Sequence, residues 1–191
     1  MDRRMSIHAL TAMAAGSALA DLNLADERVV VERIRELGRL IHGSDPVFGT
    51  TPAPSDFIQL CRCVTNSVAA EDFDVRVEFE DFRHFILDKG GRYAFGFGTA
   101  RGVNGAKAAT DLAVSHPHLG HGRLQQAAAA LVAIEAPPNA LREARDIMLQ
   151  VRRYLPANSD ILYSCVSTNP VDGVNGDAFR VSILASGIHD V

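Results

Sequence analysis

The sequence predicts a mixed α/β layer, and three observations point to it. Strand-like and helix-like patterns alternate from about residue 55 onward. The last two patterned stretches, DILYSCVST and AFRVSILASGI, both read as strands and follow one another across the hairpin-like PVDGVNGD. Apolar residues make up 47% of the 191 residues, which is enough for the core of one domain.

The elements follow in chain order. Residues 5–20 form an Ala-rich helix pattern, and Val30, Ile34, Leu37 and Ile41 recur at helical spacing before a stop at Gly43. SDPVFGTTPAPSD then packs three prolines into a short span, so residues 1–54 read as a helical N-terminal segment with a Pro-rich linker. The main domain is placed at 55–191. It opens with a helix capped by Ser55 or Asp56 and carrying Phe57, Leu60 and Val64. A helix over 79–88 puts Phe79, Phe82 and Ile86 on one face and ends at Gly90-Gly91. The strand RYAFGFG sets Tyr93, Phe95 and Phe97 on one side and small residues on the other. Next come a helix over about 102–115, the apolar run LQQAAAALVAIE and the helix LREARDIMLQVRRYL. That helix aligns Leu141, Ala144, Ile147 or Met148, Val151 and Leu155 on one stripe.

Composition excludes several classes. Net charge is −4 and Arg outnumbers Lys 17 to 2, but no basic cluster points to nucleic acid. No run approaches the length of a transmembrane helix. Three cysteines (Cys61, Cys63 and Cys165) favour a reducing cytosol over a disulfide framework. The ending Ala18-Leu19-Ala20 mimics a signal-peptide cleavage site, yet His8, Thr11 and Gly16 weaken the preceding apolar run, so a cytoplasmic location is expected.

Chemistry-bearing motifs are few. A dinucleotide fingerprint needs G-x-G-x-x-G, and after Gly96 and Gly98 the third position is Arg101. No acidic residue ends a strand about 20 residues further on. Small residues that let a helix pack closely on the sheet explain these glycines. His116, His118 and His121 in HPHLGH have no Cys or carboxylate nearby in sequence and read as an exposed loop rather than a metal site. Cys61 and Cys63 point apart on a helix. The acidic stretch EDFDVRVEFEDFR holds Glu71, Asp72, Asp74, Glu78, Glu80 and Asp81, and it fits either a solvated helix start or carboxylates presented to water.

The order of these motifs resembles the C-terminal half of the FtsZ/tubulin family. The family pattern runs N-x-D-F-x-D, a helix, G-x-A-x-M-G-x-G-x-A-x-G-x-N-R-A, a helix, then P-L-L. Here RVEFEDFRHFILDKGGRYAFGFGTARGVNGAKAATDLAVSHPHL follows it, and the likeness continues through ALVAIEA, LREARDIMLQVRRYL and SDILYSCVST to FRVSILASGI, over residues 76–188. The resemblance implies a mixed four-stranded sheet packed with helices as a two-layer sandwich. It implies that Gly96 and Gly98 lie in a strand-to-helix turn, away from any nucleotide.

In that family GTP sits on an N-terminal domain with a G-G-G-T-G-[TS]-G loop, which these residues lack, so no cofactor is expected on this chain alone. The C-terminal domain of the family supplies acidic residues to the nucleotide site of the next subunit, and by position these fall on Glu78 and Asp81. The family's asparagine is Arg76 here, its P-G-L-I turn is replaced by AAEDFDV, and the arginine of N-R-A is Gly105. The resemblance therefore implies a cytoskeletal module that self-associates or binds FtsZ or a tubulin-like partner. A half-enzyme completing a GTPase site on another chain, and a small-molecule-binding α/β module, remain open beside it.

Overall fold

The computed structural model describes residues 54–69, 73–89, 92–167 and 177–189. The helical N-terminal segment, the Pro-rich linker, Gly90-Gly91 and most of PVDGVNGD lie outside the described residues. In chain order the elements are α1 (Pro54–Ala69), β1 (Phe73–Val75), α2 (Phe79–Phe82) with a π-helical continuation (Arg83–Leu87), β2 (Arg92–Arg101), α3 (Gly105–Val114), α4 (Gly120–Leu124), β3 (Ala129–Ala136), α5 (Leu141–Arg152), β4 (Asp160–Ser167) and β5 (Ala178–Ile188).

The strands form one mixed sheet in the order β1-β4-β3-β5-β2. β3 and β4 run parallel, joined by α5, while β5 pairs antiparallel with both β3 and β2. The expected four strands are present, and a short fifth, β1, pairs antiparallel with the end of β4. β1 lies inside the acidic stretch, where Phe73 and Val75 alternate with Asp74. Three residues of alternation are too few to stand out from sequence.

Helices cover both faces of the sheet. β3 is buried along its whole length, which is why AALVAIEA shows no polar alternation. One face carries α3, α4 and α5, with Ala109, Ala113, Leu119, Leu124, Ile147 and Val151 against Val132, Ile134, Val181 and Ile183. The other carries α1 and the α2–π segment, with Leu60, Cys63, Val64, Phe82 and Ile86 against Leu131, Ala133, Leu184 and Phe95. The predicted sandwich thus gains a partial third layer. Each large side chain so buried contributes roughly 1.5–3 kcal/mol.

Several boundaries differ from the sequence reading for local reasons. α1 begins at Pro54 itself, whose fixed φ and missing N–H suit the first helical position. Only four residues of the 79–88 helix are α-helical, since Asp88 N–H donates to Arg83 O at 2.9 Å and widens the turn around the buried Ile86. α3 starts at Gly105, because Gly102 has φ +81° and turns the chain first. Gln125 and Gln126 lie in a turn before β3 rather than in the apolar run. On α5, Ala144, Ile147 and Val151 are buried, but Leu141 is exposed and leaves the core stripe.

Candidate functional site

The acidic residues singled out from sequence sit where the chain leaves β1 and enters α2. Val77 N–H donates to Ser67 O at 3.1 Å, tying this turn to the end of α1. Phe82 N–H donates to Glu78 O at 3.0 Å, so Glu78 and Asp81 stand three residues apart across the first helical turn and share one side of it. Both side chains are exposed, as is Glu80. Arg76 pairs with Glu78, and Arg83 pairs with Glu80 at 3.0 Å. Such exposed pairs contribute at most about 1 kcal/mol. Asp81 makes no ion pair among the described residues, which leaves its oxygens open to water. Arg76 therefore occupies one of the two carboxylates. Glu71 and Asp72 lie outside the described residues, as does the Asp74 side chain.

The glycines are filled space. A Cβ on Gly96 would lie 2.3 Å from Ala113 O, and one on Gly98 would lie 2.3 Å from Ala109 O. α3 rests directly on β2 there, so no phosphate fits, and the two glycines lie within β2, opposite Ile183 and Val181 of β5, rather than in the strand-to-helix turn that the resemblance implied. The close-packing reading of these glycines holds.

Neither the family models nor the curated proteins contain a match to the sequence. Solved structures do match. The empty FtsZ dimer of M. jannaschii superposes with a TM-score of 0.62 at 20% identity, over 94% of this chain and 59% of the FtsZ chain. A tryptophan-to-tyrosine mutant of the same FtsZ gives 0.63 at 20% identity, over 94% and 61%. The GTPγS-form protofilament of TubZ from Bacillus thuringiensis serovar israelensis gives 0.53 at 8% identity, over 85% and 40%. The fold is FtsZ-like. The chain spans about three fifths of the length of the FtsZ chains it matches. At this identity the likeness establishes the FtsZ-like architecture of the C-terminal domain, and no residue's role follows from it.

On this FtsZ-like frame the structure assembles two clusters that sequence reasoning missed. The first centres on Glu135, 6% exposed near the end of β3 on the α1 face. Arg62 of α1 grips it with Nε at 3.0 Å and a terminal nitrogen at 2.9 Å, Arg180 of β5 donates at 2.7 Å, and Asn66 at 3.4 Å. A buried carboxylate is stable only when paired and hydrogen-bonded, and here two guanidiniums do both. The only sequence signal was a glutamate inside an otherwise apolar strand.

The second cluster is the histidine loop. No carboxylate lies near it in sequence, but α1 brings Asp56 Oδ2 to 3.2 Å from His118 Nε2. His116 packs on Phe97, with ring centroids 4.8 Å apart, and burial pushes its pKa below the ordinary value while Asp56 and a hydrogen bond to the Phe95 backbone push back. His121 stands apart, stacked on Tyr154. No group of metal-ligating side chains occurs among the described residues. Cys63 and Cys165 are buried, and the Cys61 side chain lies outside the described residues. Finally, a groove of about 300 Å³ opens between α5 and β4, lined mainly by Val75, Ala144, Met148, Ile161, Tyr163 and Cys165.

Proposed function

We propose that this chain is an FtsZ-like module of the cell-division and cytoskeletal type, acting in the cytoplasm by associating with copies of itself or with FtsZ or a tubulin-like partner. The FtsZ-like fold carries the reading, because 94% of the chain superposes on a protein whose structure is described as a dimer. The surface supports it. Val103, Leu112, Leu141, Leu149 and Tyr163 are large apolar side chains left exposed on a domain of this fold. No helix among the described residues is long and apolar enough to cross a membrane.

A second reading rests on Asp81. In a half-enzyme, this carboxylate would accept a hydrogen bond from the attacking water at a nucleotide site carried by another chain, with GTP bound there and not here. Its exposure and the lack of an ion pair among the described residues favour that role, while the Arg76–Glu78 pair weakens the neighbouring one.

Phosphate release by FtsZ in GTP, with and without this chain, separates the two. A change in turnover produced equally by the wild type and by Asp81→Ala is the expected result and marks a non-catalytic partner. A change produced by the wild type alone makes Asp81 a catalytic residue in trans. If turnover is unaffected and the chain also stays monomeric, the association reading is wrong.

A further inference from the structure

Among the described residues β2 ends the sheet, pairing with β5 along one side and with no strand on the other. Ten residues make it a long edge, and RYAFGFGTAR carries neither proline nor lysine to discourage pairing with another chain. What lies against it is the loop of residues 115–119. His116 stacks on Phe97, and the Cβ atoms of His116 and Leu119 crowd the position of Gly96. The loop is fastened from two elements. Asp56 of α1 reaches His118 around the sheet edge, and Arg123 of α4 donates to Pro117 O at 2.9 Å. Asp56 and His118 are both largely buried, so the fastening is sheltered from salt.

We propose that residues 115–119 form a removable strap over the outer edge of β2, and that the partner this strap excludes is the same edge of a second copy. The proposal rests on the self-association reading and names its surface. The edge is self-complementary. An antiparallel pairing centred on Phe97 sets Phe97 against its own copy, Phe95 against Thr99 and Tyr93 against Arg101. These are aromatic, aromatic–β-branched and cation–π pairs, which stabilise adjacent strands. Gly96 faces Gly98 across the axis, on the side where α3 approaches most closely. Open, the edge completes a continuous sheet through two subunits. Closed, it is blocked at Phe95 and Phe97.

Sedimentation velocity of the full chain tests this with His118→Ala, Asp56→Asn, and each combined with Thr99→Lys. Thr99 is exposed, and a lysine there meets Phe95 of the second copy without touching the core. Releasing the strap is expected to tighten association by roughly tenfold or more, and Thr99→Lys is expected to reverse that gain. Amide exchange at Phe95 and Phe97 verifies that the variants are folded and that the strap has opened. The proposal is overturned if the strap opens and association does not rise, or if it rises and Thr99→Lys leaves it unchanged. Should the wild type already associate in a manner blind to both sets of variants, the self-association reading stands and this surface does not.

Discussion

At the scale of single residues, the glycines of YAFGFGTA show how one pattern serves two physical purposes. A glycine pair before a helix can cradle phosphate because backbone N–H groups come close to the ligand. Here the same absence of a side chain admits the backbone of α3, with Ala109 O and Ala113 O in the space a Cβ would need. Gly98→Ala would drive its methyl to 2.3 Å from a carbonyl oxygen and 2.5 Å from Leu112 Cβ. Because backbone must move, the expected loss is about 3 kcal/mol or more in urea unfolding. A loss under about 1 kcal/mol would mean that α3 is not seated as described. The missing third glycine of the fingerprint made this legible in sequence. Glu135 was not legible, because its partners Arg62 and Arg180 lie 73 and 45 positions away and no local pattern predicts them.

At the scale of elements, periodicity located nearly every helix and strand and failed where an element was short or bent. The two apolar faces of α5 defeated a single-stripe reading. Its buried side was found, but Leu141 and Leu149 on the groove side are exposed. The histidine loop was read as exposed, but His116 and His118 are half-buried and Leu119 is fully buried, and the contact of His118 with Asp56 needed the fold.

That loop also sets a pH response. Burial holds the His116 pKa below its ordinary 6.5, and the neighbouring His118 pushes the same way. A histidine whose folded pKa is depressed favours the neutral form on folding. Its contribution is complete above the unfolded value and is lost as pH falls through it toward the folded value. Stability should therefore decline on acidification from pH 7.5 to 5.5, and His116→Gln should flatten that decline. Asp56 and His118 are present in both proteins, so the difference between the two profiles belongs to His116. Parallel profiles would refute the assignment.

At the scale of the whole molecule, strand and helix order carried the architecture. Five strands in the order β1-β4-β3-β5-β2 cannot be read from spacing; the parallel β3–α5–β4 unit follows from one crossover helix, but the hairpin expected between β4 and β5 is not formed, because β5 passes β4 and pairs antiparallel with β3 and β2. The location of acidic residues at a helix start was also visible from sequence. Which of them stays open to water was not, because the ion pairs of Glu78 and Glu80 depend on rotamers. The buried ionic cluster ties α1 to β3 and β5, so that α1 and the sheet form one cooperative body. Glu135→Gln leaves Arg62 and Arg180 without their anion, and the expected cost is about 3–5 kcal/mol. Thermal melts followed by far-UV and near-UV signals should shift together. Separate transitions would show that α1 comes off the sheet on its own.

The same cluster has a mechanical consequence. Arg62 sits midway along α1, and its bidentate grip on Glu135 ends on β3, in the middle of the sheet, with Arg180 bracing from β5. Tension applied at the Pro54 end of the helix is therefore not resisted at a frayed edge, one bond at a time. It is delivered to β3, which is held by ladders to β4 on one side and β5 on the other. A pull on α1 therefore reaches the domain through its central strand rather than through an outer one.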